Sequence, residues 1–316
     1  MAGTLIAIAC GLGAALCFGT GDFLAQRLTH RHGWLPAMFA VQIASVVVLT
    51  GVAAVWHGRP DPSASAVVEV IGLGLVNTLG MVGLYRAFES GKLSLVSPIA
   101  GSMGAFTVAF AWLAGRPPAA TVGLGLLAAI VGIVLASVVE EARPDGDGRG
   151  RGKLARALGV GWALLSAVGF GWVFFRLGPA SVELGAAWAV AILRVVAIVA
   201  LLALARPLRA RLTEVWAPTP DPGASTGAPT GSSRGRTLAV ACLDSAGMVS
   251  FAYGSSRGAM IGEIAVVAVL ASSFPLVTVA LARVWLREAL RWWQWVGVGL
   301  VVTAVAWVSA FAGGAG

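Results

Sequence analysis

Charge is what this sequence most lacks. Of its 316 residues only 11% are Asp, Glu, Lys or Arg, while 58% are hydrophobic. A soluble domain carries about a quarter charged residues and needs them to cover its surface, so a water-exposed globule is excluded. Cysteine is scarce too: Cys10, Cys17 and Cys242 lie inside apolar runs and none forms a CxxC pair, which removes a disulfide framework and a zinc site from consideration. His30 and His32 flank a loop arginine and His57 stands alone in a loop, so no metal site is expected. Gly11-x-Gly13 and Gly19-x-Gly21 lack a third glycine and a preceding strand, and no P-loop follows. Without these, and without a Ser/His/Asp arrangement or a DxxxD pair, neither a cofactor nor an enzyme is expected. Clusters of basic residues interleaved with aromatics are missing, so nucleic acid is not an expected partner despite a net charge of +8.

What is there is apolar sequence in long pieces. A helix needs about 20 apolar residues to cross the hydrocarbon core. Ten runs reach that length: 4–25, 34–56, 67–88, 93–115, 119–139, 154–176, 182–205, 237–256, 261–285 and 292–312. None alternates polar with apolar, which excludes a barrel. The fold predicted is therefore all-α and integral to a lipid bilayer, with ten transmembrane helices. The first run has no basic leader and is read as a retained span rather than a signal peptide. Two polar stretches interrupt the pattern. Residues 141–153 are charged and Gly-rich and divide the chain into 1–140 and 154–316; residues 217–236 are Pro/Gly/Ser/Thr-rich and are expected to be a disordered loop.

The two parts repeat one another. Asn77-Thr78-Leu79-Gly80-Met81-Val82 returns 167 residues later as Asp244-Ser245-Ala246-Gly247-Met248-Val249. Phe18-Gly19 returns as Phe170-Gly171 at an offset of 152. Val122-Gly123-x-Gly125-Leu126 matches Val296-Gly297-x-Gly299-Leu300, and Trp112-Leu113 matches Trp285-Leu286. Five spans per half is an odd number, so the second half enters the membrane from the opposite side, as in carriers built from inverted repeats. The loops after the odd-numbered spans hold 17 of the 22 Lys and Arg residues. The positive-inside rule then places those loops in the cytoplasm and both termini outside.

Leu84-Tyr85-Arg86-Ala87-Phe88-Glu89-Ser90-Gly91 with Ser97-Pro98-Ile99, and Trp285-Leu286-Arg287-Glu288-Ala289-Leu290 with Gln294-Trp295-Val296-Gly297, resemble passages of EamA-type members of the drug/metabolite transporter superfamily. The resemblance covers nearly the whole chain outside the two linkers. It implies a ten-helix carrier of small organic solutes such as metabolites, amino acids or toxic compounds, mostly by efflux, with a central cavity lined by the first four helices of each half. Three departures stand out. Ala114-Gly115-Arg116-Pro117 replaces the family's Gly-Glu in the first half. Gln42 occupies the region where the family often has Arg, and the arginine appears as Arg194 in span 7. The family is usually drawn with both termini cytoplasmic, the reverse of the charge count.

Arg194 and Asp244 lie near the centres of spans 7 and 8, where each charge costs about 2.5–3.5 kcal/mol on insertion scales and must face protein or a wet cavity. Their repeat equivalents are the neutral amides Gln42 and Asn77. These four are the expected solute-binding residues, joined by Tyr85 and Tyr253 at near-equivalent positions. The competing reading is an ion pair that only lets two helices pack. Asp244 and Asp22 are the candidates for proton coupling, in a scheme where Arg194 takes an anionic group of the solute and releases Asp244 to accept a proton. Asp22, near the predicted end of span 1, is also read as an interfacial, solvated carboxylate. Arg86 and Glu89 are expected to form an interfacial salt bridge, and Trp292, Trp293 and Trp295 an aromatic belt. Pro98 and Pro275 are expected to kink spans 4 and 9. Gly72/Gly74, Gly123/Gly125 and Gly297/Gly299 predict close helix contacts, within the chain or in a homodimer.

The functional expectation is a secondary carrier exporting a small organic solute across the plasma membrane, the inner membrane of a bacterium. Uptake or exchange on the same scaffold is the first alternative, and a membrane enzyme acting on a lipid-linked substrate the second.

Overall fold

The computed structural model describes residues 2–56, 60–90, 93–115, 120–137, 149–208, 233–257, 261–286 and 292–311. These form α1 (Ala2–His32), α2 (Trp34–Trp56), α3 (Ala64–Ser90), α4 (Leu93–Gly101), α5 (Met103–Leu113), α6 (Ala120–Ser137), α7 (Arg149–Ala180), α8 (Ala186–Leu208), α9 (Ser233–Arg257), α10 (Ile261–Ala271), α11 (Phe274–Leu286) and α12 (Trp292–Phe311). No strand occurs among the described residues. Six helices, α1, α2, α3, α7, α8 and α9, are long and apolar enough to cross a membrane. Ile99–Leu113, Gly123–Gly132 and Val266–Thr278 are shorter apolar helical stretches.

The surface is oily where a soluble protein would be charged. Val55 is 90% exposed and Leu113 84%, which only lipid contact makes inexpensive. Small residues fill the interior, with Ala7, Ala14, Ala37, Ala163 and Ala187 fully buried, and this lets helix backbones approach closely. The largest contacts cross between the halves. α1 packs along α9, α3 along α7, α2 against α8, and α6 against α12.

Several expectations are corrected here. α1 continues to His32 rather than stopping near residue 25, since no proline or charged run halts it. Within the expected linker 141–153, Arg149–Lys153 already belong to α7, and within 217–236 the last four residues, Ser233–Arg236, belong to α9. Residues 141–148 and 217–232 lie outside the described residues. Of the glycine pairs, Gly74 does meet Val196 of α8, but Gly72, Gly123 and Gly299 have open space around them. The tight approaches fall elsewhere. A Cβ on Gly19 would stand 2.5 Å from the Phe274 carbonyl oxygen, and one on Gly171 would stand 2.5 Å from Phe106 Cβ.

Those two glycines sit where spans 4 and 9 break. The α4–α5 break is at Ser102, and the α10–α11 break is at Ser272 and Ser273. Pro275 falls in the first turn of α11, where its missing N–H costs no helical bond, and the residues before it end α10. Ser102 Oγ donates to the Ile99 carbonyl at 2.6 Å, and Ser273 Oγ to the Leu270 carbonyl at 2.6 Å, each satisfying an acceptor freed by the break. One turn on, Thr107 Oγ1 donates to the Gly171 carbonyl at 3.0 Å and Thr278 Oγ1 to the Gly19 carbonyl at 3.1 Å. Each broken helix is thereby tied to the first helix of the other half. The two breaks also touch: a Cβ on Gly101 would meet Pro275 Cγ, and one on Gly104 would meet Ser272 Oγ.

Candidate functional site

α3 fixes the depth of the site. Glu69 near its start pairs with Arg176 of α7. Arg86 near its end pairs with Glu89 at 3.4 Å and lies 4.7 Å above the Trp34 ring and 5.7 Å from the Trp162 ring. The seventeen residue steps from Glu69 to Arg86 span about 26 Å of helix, close to the hydrocarbon thickness. Asn77 stands halfway. Around it opens an internal cavity walled by residues of both halves, among them Phe18, Asp22, Asn77, Met81, Tyr85, Met103, Phe170, Phe174, Arg194, Asp244, Met248 and Phe274. About 40 Å³ of it is open to water, room for water but not for an organic solute, so a solute would require it to widen.

The charges meet at this wall. Arg194 is 1% exposed, and its Nη2 stands 2.6 Å from Asp244 Oδ2. Its Nη1 donates to Gln42 Oε1 at 3.4 Å, so the two residues related by the 152-residue offset touch each other. A guanidinium this deep is tolerated because it is paired, and removing either partner would strand the other charge. Asp244 is 17% exposed, and both it and Arg194 line the cavity. Asp22 faces the same space. It is ten residues inside the end of α1, so the interfacial reading gives way to a cavity position. No ion pair or hydrogen bond holds its carboxylate among the described residues. Asn77 is 1% exposed, and neither its Oδ1 nor its Nδ2 has a hydrogen-bond partner. A buried amide with both ends unused costs roughly 1–3 kcal/mol per group, which a cavity-bound water or solute would recover.

Of the residues expected at the site, Asp22, Asn77, Tyr85, Arg194 and Asp244 share the cavity wall, and Gln42 stands behind Arg194. Tyr253 does not reach the wall and packs against the core instead. The 167-residue offset that pairs Asn77 with Asp244 pairs Tyr85 with Ala252, one residue earlier. A single step along a helix turns a side chain by about 100°, enough to move Tyr253 off the cavity face. Glu69 is an inter-helix ion partner. The side chain of Glu263 and all of Glu288 lie outside the described residues.

Sequence reasoning missed the aromatic and serine–threonine elements. Phe18 stacks on Phe174 with centroids 6.1 Å apart, and Phe174 on Phe251 at 3.9 Å. Ser102 and Ser273, Met103 and Phe274, and Thr107 and Thr278 are each 171 positions apart. A search for single-residue matches at one offset would have found the serine and threonine pairs; a search for contiguous strings does not.

The model of the EamA-like transporter family matches the chain twice, over residues 5–138 and 157–310. A solved structure titled only "Crystal structure of protein" is similar over 98% of each chain, with 18% identity and a TM-score of 0.61, which speaks to the fold alone. No curated protein matches. With both halves matched, the chain belongs to the EamA-like transporter family, a family of multi-pass membrane proteins.

Proposed function

We propose, with membership of that family as the premise, that the protein is a secondary carrier that moves a small organic solute outward across the plasma membrane by alternating access. The observation that carries this reading is the cavity: halfway along the helices, walled by both halves, and the meeting point of Asp22, Arg194 and Asp244. Intramembrane charges on a cavity wall mark solute or proton pathways.

The ten-span count follows from reading α4 with α5 and α10 with α11 as broken spans. Reciprocal pairing, α1 with α9 and α3 with α7, supports a two-fold relation between the halves, and an odd number of spans per half makes that relation an inversion. The 17 basic residues in odd-numbered loops favour termini outside. Asp22, Asn77, Tyr85 and Asp244 would touch the solute, and Gln42 and Arg194 would act through Asp244. Solute arrival or loss of the Arg194 contact would let Asp244 exchange a proton, with Asp22 as a second acceptor.

The deciding experiment is metabolite and toxin profiling of cells lacking or overproducing the protein, followed by flux of the solute it identifies into proteoliposomes with and without a pH gradient. Flux that depends on the gradient supports the reading. Unchanged profiles together with absent flux overturn it. Net uptake in cells would instead favour the same scaffold working inward.

A further inference from the structure

We infer that the ligand of this cavity is a small organic monocation, a primary ammonium on an apolar or aromatic body; this rests on the carrier reading above and names its solute class. The charge of the wall decides the sign. Two carboxylates, Asp22 and Asp244, face one guanidinium, Arg194, and no other described lining residue is charged. With both acids ionised the cavity is one negative charge in excess. Arg194 lines the same wall but is 1% exposed, with Nη2 2.6 Å from Asp244 and Nη1 3.4 Å from Gln42, which stands behind it. An anionic group entering the cavity would therefore face two carboxylates and a guanidinium already paired with one of them, whereas a cation would compensate Asp22.

The rest of the wall fits the same ligand. Phe18, Phe170, Phe174, Phe274 and Tyr85 supply faces that pack an apolar body and attract a desolvated cation. Asn77 supplies the remaining contact. An ammonium carries three N–H donors, more than the Asp22 carboxylate can take from one side, and the unpartnered Asn77 Oδ1 is a ready acceptor on the same wall.

The test uses three probes that share one benzyl body: phenethylammonium, phenethyl alcohol and phenylacetate. Equilibrium binding to the full-length protein in detergent is measured by calorimetry at neutral pH. Phenethylammonium is expected to bind, with the alcohol and the carboxylate weaker by at least about tenfold, the loss of one partly desolvated charge pair. Asp22→Asn should weaken the cation by at least about tenfold and narrow its margin over the alcohol, while Asp22→Glu should retain the preference. If Asp22→Asn does not fold, the ranking of the three probes on the unaltered protein decides alone. The inference is overturned by phenylacetate binding as tightly as the cation, by none of the three binding, or by Asp22→Asn holding the cation like the unaltered protein. Counterflow in proteoliposomes separates this from the carrier reading. Cation binding without flux leaves the solute class standing and sinks the carrier; flux of phenylacetate alone does the reverse.

Discussion

Thr107 in the first half and Thr278 in the second make the same hydrogen bond to the same kind of partner, a glycine carbonyl on the opposite half. Gln42 and Arg194, equally well matched in position, do not carry the same charge, and neither do Asn77 and Asp244. Asp22 has Phe174 as its counterpart at the 152-residue offset. The halves therefore agree where they hold each other and in the cavity's Phe18/Phe170 and Met81/Met248 pairs, and disagree in the charged and amide residues at the centre. Two identical halves would place like charges against each other at the centre. The observed chain puts a cation and an anion in one half and a lone acid in the other.

The most direct way to break this contrast is to give the second half the chemistry of the first. Arg194→Gln leaves Asp244 buried beside a neutral group, and Asp244→Asn leaves Arg194 stranded. Each single change is expected to cost about 3–5 kcal/mol of stability, the usual penalty for orphaning one member of a buried pair. The double variant, which reproduces the Gln42/Asn77 pattern, should recover most of that loss in detergent melting curves and still fail to transport. Recovery of both stability and transport by the double variant would reduce the pair to a packing device.

The converse change gives the first half an acid it lacks. Asn77→Asp adds a third carboxylate to a wall that already has one in excess, and Arg194 is turned to α9 rather than α3. A destabilisation of about 1–3 kcal/mol is expected, since the new group has no partner in place. Melting temperatures of Asn77→Asp with and without the phenethylammonium probe would check it. The probe should rescue this variant more than the unaltered protein, and equal rescue would show that position 77 does not face the ligand.

The agreement between halves can be measured as well. Thr107→Val and Thr278→Val each remove a buried hydroxyl proton shared between a glycine carbonyl of the other half and a carbonyl of its own helix, Met103 or Phe274. Each should cost about 1 kcal/mol, and the two costs should be alike if the breaks are structurally equivalent. A several-fold difference in chemical denaturation would show that one broken helix bears more of the fold.

Helix content and the repeat were legible because apolar length and repeated strings survive in a biased composition. The Asn77/Asp244 string led to the cavity for the same reason: the repeat fixes position, and a charge amid apolar residues has to face something polar. Other features were hidden by how the reading works. Tyr85 and Tyr253 looked paired because tyrosine is rare, with only two in the chain, yet the register pairs Tyr85 with Ala252. Asp22 looked interfacial because hydropathy falls there, while α1 itself runs ten residues further. The breaks at Ser102 and Ser273 depend on proline, serine and inter-helix contacts together, which no linear scan of hydropathy contains.

The smallest effect lies at one end of the bundle, where an exposed carboxylate ties the halves in addition to the Glu69–Arg176 pair. Glu183, between α7 and α8, accepts the Ser63 N–H at 3.0 Å and the Ser63 hydroxyl at 2.7 Å at the start of α3. These two bonds, the backbone one foremost, favour the charged form and hold Glu183 below the ordinary glutamate value of 4.5. A carboxylate whose pKa is depressed by folding contributes stability that is present above the unfolded value and lost as pH falls through the folded one. The tie should therefore be intact at neutral pH and loosen below about pH 4.5. Glu183→Gln keeps one acceptor but has no proton to gain, so its contact should be weaker and independent of pH. Amide exchange at Ser63, corrected for the intrinsic pH dependence of exchange, reads this out. Protection should fall on acidification in the unaltered protein and stay flat in Glu183→Gln. Parallel pH profiles in the two proteins would place the titrating group elsewhere.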